Sequence, residues 1–216
     1  MNFVNIDKFL PYVLPYAEKC PQLVARRAIR DTIIDIANRT QMTKIRVELK
    51  SKKGYGTYEL QMPYGITVGM MDDVTYDGAP LKAINRPMLR QLYPEADLTR
   101  LSGEPKYYYH TNSPLVLTLA PAPQDDGKSI VCEVDVSFTR EMNDFPEEYY
   151  TRYAELVAEG ALSRILSMPA QTFTDLGMAT QWANMYAEGI RELLMDAYRD
   201  FTKEAGKVRV QYRNIL

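Results

Sequence analysis

The sequence predicts an α+β protein in which a small helical domain, made of an N-terminal helix and two long C-terminal helices, carries an inserted antiparallel β-sandwich or barrel and ends in an extended tail. Three observations predict this. Apolar residues recur at helical spacing in the first forty residues and again from Pro146 onward. Between these stretches the period falls to two and Gly, Pro and Asp punctuate the chain. The last ten residues alternate apolar and basic with no neighbouring strand pattern to pair with. The expected division is residues 1–42 and 143–206 for the helical domain, 43–142 for the β-domain and 207–216 for the tail.

Pro21 is suited to a helix start, and Ala25, Ile29, Thr32, Ile33 and Ile36 then form an apolar stripe opposite Arg26, Arg27, Arg30 and Asp31. The apolar stretch before it is broken by Pro11 and Pro15, so a short helix or turn packing back on the main helix is expected. From Thr43 the residues Ile45, Val47 and Leu49 alternate with charged ones, and Lys53-Gly54-Tyr55-Gly56 leads to Tyr58, Leu60 and Met62, a pattern read as a hairpin. Ile66 to Tyr76 follows, with Asp77-Gly78 as a turn before Leu81 and Ile84. Pro87 to Tyr93 fits one short helical turn. Lys106–Tyr109, Leu115–Leu119 and Ile130–Phe138 complete about seven short strands.

The helical period returns at Pro146, with Asp144 as a nearby cap and Glu147 and Glu148 in the first turn, where the helix dipole favours negative charge. Tyr150, Tyr153, Val157, Ala161 and Ile165 make its stripe, and Pro169 ends it. Thr174 or Asp175 caps the final helix, on which Trp182, Met185, Tyr186, Ile190, Leu193, Leu194, Ala197 and Phe201 share a face. Gly160 and Gly189 fall inside these helices at a cost of about 1 kcal/mol each against Ala, which hints at close helix approach. Gly160, Ala161, Trp182 and Gly189 are therefore expected in subunit packing.

The 216 residues suffice for one good-sized domain, or one carrying another. Sixteen Tyr stand against six Phe and one Trp, which suits half-buried surfaces and subunit interfaces, or equally a β-rich core. Cys20 and Cys132 match no metal or redox spacing, so two buried free thiols in a reducing compartment are expected. With no apolar run long enough for a membrane span and no leader pattern, a soluble protein made in the cytoplasm is expected.

The net charge of −2 hides a partition. Residues 143–202 hold four Lys/Arg and ten Asp/Glu, and residues 203–216 hold four and one. No stretch is both basic and long enough for a sequence-specific DNA-binding domain. Glu147, Glu148, Glu155 and Glu159 belong to this acidic stretch and are open to reading as a solvated helix face.

No catalytic constellation is found. His110 has no Cys or Ser–Asp partners in pattern and reads as a surface residue. Asp72-Asp73 and Asp125-Asp126 are sequence neighbours, read as solvated turn residues. There is no phosphate-binding Gly loop, nucleophile elbow or zinc spacing, so neither enzyme activity, cofactor nor metal is expected. Lys52-Lys53-Gly54-Tyr55-Gly56 reads as a solvated loop tip.

Read in order, Cys20-Pro21, Ala28 to Thr40, Asp77-Gly78-Ala79-Pro80-Leu81, Gly103-Glu104-Pro105-Lys106-Tyr107-Tyr108, Leu117 to Pro123, and Glu159-Gly160-Ala161 with Leu166-Ser167-Met168-Pro169 resemble the head-to-tail adaptor family of tailed bacteriophages. The resemblance spans about residues 9 to 202. It departs where the family often has Trp (Phe173 here) and Asp-Pro (Asp175-Leu176 here). It implies a virion protein, assembled in the host cytoplasm as a homo-dodecameric ring, with portal protein on one face, a tail tube or nozzle protein on the other, and a DNA channel between, which the acidic Glu147, Glu148, Glu155 and Glu159 are expected to line so that DNA slides without adhering. In the tail, Val208, Val210 and Tyr212 alternate with Lys207, Arg209 and Arg213; pairing with the chain's own β-domain or a frayed end is one reading, and the resemblance favours docking of this segment into a portal crevice, for example as an added strand. A tail-completion or tail-tube subunit, and a carbohydrate- or surface-binding module built on exposed Tyr rings, are the alternative readings.

Overall fold

Apolar spacing and proline placement set the order of elements in the computed structural model, which describes residues 2–94, 101–110, 113 and 115–198. A three-residue strand β1 (Phe3–Asn5) leads into short turns of helix that include α1 (Leu10–Val13), and Phe9, Leu10 and Val13 are buried there. Helix α2 (Gln22–Thr40) starts directly after Pro21 and buries Ala25, Ile29, Thr32, Ile33 and Ile36 as the stripe requires. It ends where Gln41 turns left-handed, at φ 50°.

Among the described residues eight strands follow, namely β2 (Lys44–Lys50), β3 (Thr57–Glu59), β4 (Ile66–Tyr76), β5 (Ala79–Pro80), β6 (Lys82–Ala83), β7 (Tyr107–His110), β8 (Val116–Ala120) and β9 (Ser129–Phe138), with α3 (Arg86–Leu92) after β6. They form two four-stranded sheets, ordered β2-β9-β4-β5 and β3-β8-β7-β6, and neither closes into a barrel. All pairs are antiparallel except β6 with β7, which run parallel. Asp77 and Gly78, at φ 49° and 83°, make the tight turn between β4 and β5 that their residue types favour. Asn85 caps α3 by accepting a hydrogen bond from the Met88 N–H at 2.9 Å.

Three expectations about the strands are corrected. No barrel forms, and the alternating runs on either side of Lys53–Gly56 do not pair with each other: β2 pairs with β9 and β3 with β8, in different sheets. The backbone of the linking segment bonds elsewhere, Ser51 N–H to Lys128 O at 2.8 Å, Gly54 N–H to Pro123 O at 2.8 Å and Leu119 N–H to Gly56 O at 2.7 Å. These bonds satisfy groups that a hairpin would have paired locally. Asp72 and Asp73 lie within β4, not a turn, where its register against β9 shifts between Met71 and Asp73.

After β10 (Asp144–Pro146), which pairs with β1, the expected long helix is two: α4 (Glu147–Thr151) and α5 (Ala154–Leu166). Tyr153, at φ −125° and ψ 18°, leaves helical geometry and breaks the run. Asp144 does not cap it, because its carboxylate accepts from Asn5 Nδ2 at 2.9 Å across the β1–β10 pair. Glu147 and Glu148 do stand in the first turn. Asp175 caps α6 (Leu176–Tyr198), accepting from the Met178 N–H at 2.9 Å. On α6, Tyr186, Ile190 and Leu193 are buried and Trp182 is half-buried, whereas Met185 and Leu194 face solvent. The Ala197 side chain and Phe201 lie outside the described residues.

Two apolar clusters result. One joins the helices to β1, β10 and the adjoining ends of β4 and β9, through Ile66, Val136 and Phe138, with Met142 from the segment between β9 and β10. The other draws on both four-stranded sheets, with Val68, Val74, Tyr108, Leu117, Leu119, Ile130 and Cys132. Both thiols are free and buried, and burial pushes the Cys132 thiol up to about 11.

Candidate interaction surfaces

Three helices meet tightly at Gly160. A Cβ there would lie 2.5 Å from Thr32 Cγ2 on α2 and 2.8 Å from the Tyr186 ring on α6. Just beyond, the Asp35 carboxylate gathers groups from all three helices. Tyr186 donates its hydroxyl hydrogen at 2.8 Å, Arg164 approaches at 3.3 Å and Arg39 at 3.1 Å. Burial, with the Asp35 carboxylate next, pushes the Tyr186 phenol far above its ordinary range. At Gly189 a Cβ would meet Leu156 Cδ1 at 2.6 Å. The close approaches expected at Gly160 and Gly189 are thus made between helices of one chain, and Ala161 is fully buried in the same core.

The helical end presents two unlike flanks. On one, Pro11, Tyr12, Pro15 and Tyr16 form one wall of an open groove of about 340 Å³, and Glu155, Glu159, Trp182 and Met185 from α5 and α6 help form the other. Tyr16 and Trp182 meet edge to face, with ring centroids 5.3 Å apart. Partial burial, and next the Glu155 carboxylate, raise the Glu159 pKa above the ordinary carboxylate value. The four glutamates singled out from sequence are not gathered together. Glu147 accepts a hydrogen bond from Asn2 Nδ2 at 3.2 Å, Glu148 pairs with Arg152 at 3.1 Å, and only Glu155 and Glu159 enter the groove.

On the other flank, Leu23 stands 77% exposed among Arg26, Arg27, Arg30 and Arg140, which with Asp31 and Asn143 border a second hollow. Arg26 grips Asp7 with two hydrogen bonds of 2.6 and 2.7 Å, and Arg30 donates to Met142 O and to Asn143. Arg27 and Arg140 reach Asp31 only at 3.9 and 3.8 Å and remain largely exposed. The acidic Glu188, Glu192 and Asp196 lie along α6.

His110 is exposed at the end of β7. Among the described residues no group of three or more His, Cys, Asp or Glu could hold a metal, and no helix is long and apolar enough to cross a membrane. The tail residues Lys207, Val208, Arg209, Val210, Tyr212 and Arg213 lie outside the described residues.

The model of the SU10 adaptor protein family matches residues 13–211, nearly the whole chain. The chain belongs to that family. The collinear motifs that resembled phage head-to-tail adaptors are thereby borne out, and the protein is a structural adaptor of the phage virion. A search of the curated proteins returns no match to the chain. As an adaptor, the chain is expected to work through its surfaces, and the groove and the arginine flank stand out for loosely held charge and exposed apolar area. Trp182, Glu155 and Glu159 had been singled out from sequence, but for other roles, and Tyr12, Tyr16 and Leu23 had not. Leu23 was findable as an apolar residue on the polar face of α2. The meeting of Tyr12 and Tyr16 with residues roughly 140 to 170 positions later carried no local signal.

Proposed function

We propose that this adaptor assembles as a ring beneath the portal, joins it to the tail and continues the channel through which DNA leaves the head. The observation that carries the reading is the family match across residues 13–211. The division into a helical part and a two-sheet part, each with its own apolar cluster, supports assigning ring formation to the first. The cluster shared by both sheets supports packing of those sheets face to face as a sandwich, which leaves loops free to meet the tail. A twelve-copy ring with an acidic inner wall that includes Glu147 and Glu148 lets DNA pass without adhering, because like charges repel.

The basic alternating segment 207–216 docks on the portal. Burying its three apolar side chains yields about 5–9 kcal/mol, whereas ordering seven residues costs about 7–14 kcal/mol. One tail is therefore near neutral, and stable docking depends on many tails presented together. Deleting residues 207–216 should leave a folded protein that no longer co-sediments with DNA-filled, tailless heads. Full attachment by the truncated protein contradicts the tail's role, and recovery of wild-type protein with tail tube but never with portal contradicts the adaptor position.

A further inference from the structure

The two flanks of the helical part are complementary. The groove offers aromatic rings, two prolines and the carboxylates of Glu155 and Glu159, and the opposite flank offers an exposed Leu23 set among arginines. Their placement follows from helix geometry. On α5, Gly160 and Arg164 meet Thr32 and Asp35 of α2, while Glu155, Ala158, Glu159 and Leu162 line the groove. At 3.6 residues per turn these two sets lie roughly half a turn apart. On α2, Leu23, Arg27 and Arg30 are likewise on roughly the opposite side from Thr32 and Asp35. The groove and the arginine flank therefore point away from each other, and one chain cannot join its own two surfaces.

We infer that the Leu23–Arg27–Arg140 flank of one copy seats in the Tyr12–Tyr16–Trp182–Glu155–Glu159 groove of the next copy, forming the repeated head-to-tail contact of the ring. This rests on the ring reading above and names its seam. Charge complementarity selects a second copy as occupant. Arg27 and Arg140 hold their nearest carboxylate only loosely, and Glu155 and Glu159 crowd one another in the groove. Each gains what the other lacks when they meet, and guanidinium groups stack well on Tyr and Trp faces. Two different patches on opposite sides make a heterologous contact, which closes into a ring when the rotation per subunit permits and cannot stop at a symmetric pair. Trp, Tyr and Arg are also the residues that dominate association energy at interfaces.

The test uses full-length protein carrying Arg27→Glu, Glu155→Lys, Leu23→Ser, or the first two together. All three positions are exposed, so folding is expected to be intact and is checked by circular dichroism melts. Native mass spectrometry and sedimentation equilibrium report assembly in solution, and co-sedimentation stoichiometry reports it on portal-bearing heads. Each single substitution should raise the dissociation constant of the ring by about 30-fold or more. The double variant, Arg27→Glu with Glu155→Lys, exchanges the two charges and again sets opposite signs against each other at every contact, so it should recover most of the loss. Assembly of every single variant at wild-type concentrations overturns this seam and leaves the ring standing, whereas a wild-type protein that stops at a two-copy complex both in solution and on heads overturns the seam and the ring alike. A wild-type protein that forms no multi-copy assembly in solution or on heads overturns the seam and the ring together.

Discussion

The two glycines inside helices α5 and α6 should respond in opposite directions to Ala. At Gly160 the new methyl would lie 2.5 Å from Thr32 Cγ2 and 2.8 and 2.9 Å from two Tyr186 ring carbons. Neither neighbour can yield easily. Thr32 is fully buried and donates its hydroxyl to Ala28 O at 2.8 Å, and Tyr186 is tied to Asp35 at 2.8 Å. Restoring ordinary contact requires the helices to part by about 1 Å, and overpacking of this kind costs about 1–3 kcal/mol. The better helix propensity of Ala returns about 1 kcal/mol. Because two rigid neighbours must move at once, the upper half of the overpacking range applies, and Gly160→Ala should lose about 1–2 kcal/mol net. At Gly189 the only contact below 3 Å is with Leu156 Cδ1, the end of a flexible, half-buried side chain. There the propensity gain should win, and Gly189→Ala should be neutral or stabilising by up to about 1 kcal/mol. Urea unfolding followed by circular dichroism separates the two through their midpoints at constant slope. A Gly160→Ala protein as stable as wild type, or a Gly189→Ala protein weakened as much as Gly160→Ala, would show that these contacts do not set the packing.

Further outcomes follow from buried polar groups. Tyr149→Phe should cost about 1 kcal/mol in urea unfolding, because it leaves the buried Thr43 hydroxyl without its 3.0 Å partner. Cys132, its thiol pushed up to about 11, should resist a thiol-specific reagent at about pH 8 in the native protein and react once urea unfolds it. Asp135 is buried on β9 with Oδ1 unpartnered among the described residues, and burial raises its pKa, with Lys44 opposing and Asp72 adding. A carboxyl raised on folding weakens the fold when ionised, and that loss is recovered as pH falls through the raised value toward the ordinary one of about 4. Asp135→Asn removes this titration, so the stability of the variant relative to wild type should decline between about pH 7 and about pH 4. A difference that is constant with pH would count against it.

Elements whose partners are local, or whose period runs long, were legible in the sequence. The stripe of α2, the Tyr186, Ile190 and Leu193 part of the α6 stripe, the span of β4 and the Asp77-Gly78 turn match, because side-chain spacing and turn chemistry act within a few residues. What failed was pairing at a distance. The runs around Lys53–Gly56 alternate as a hairpin would, yet β9 and β8, both more than fifty residues on, take them into separate sheets. The three-residue pair β1–β10 joins the two ends of the helical part and has too few residues to show a period. The break at Tyr153 was hidden because Tyr150, Tyr153 and Val157 keep helical spacing across it. The same limit applies to the surfaces. The acidic character of residues 143–202 could be counted, but only the fold sets Glu155 and Glu159 beside Tyr12, Tyr16 and Trp182.

The protein's place in the virion is open to cryo-electron microscopy of intact particles, with symmetry relaxed at the tail vertex. A closed ring of copies between portal and tail is expected, with Leu23 of each copy against Trp182 of its neighbour and residues 207–216 directed to the portal. Density for this chain found only along the tail tube, or as isolated copies away from the portal vertex, would rule that position out.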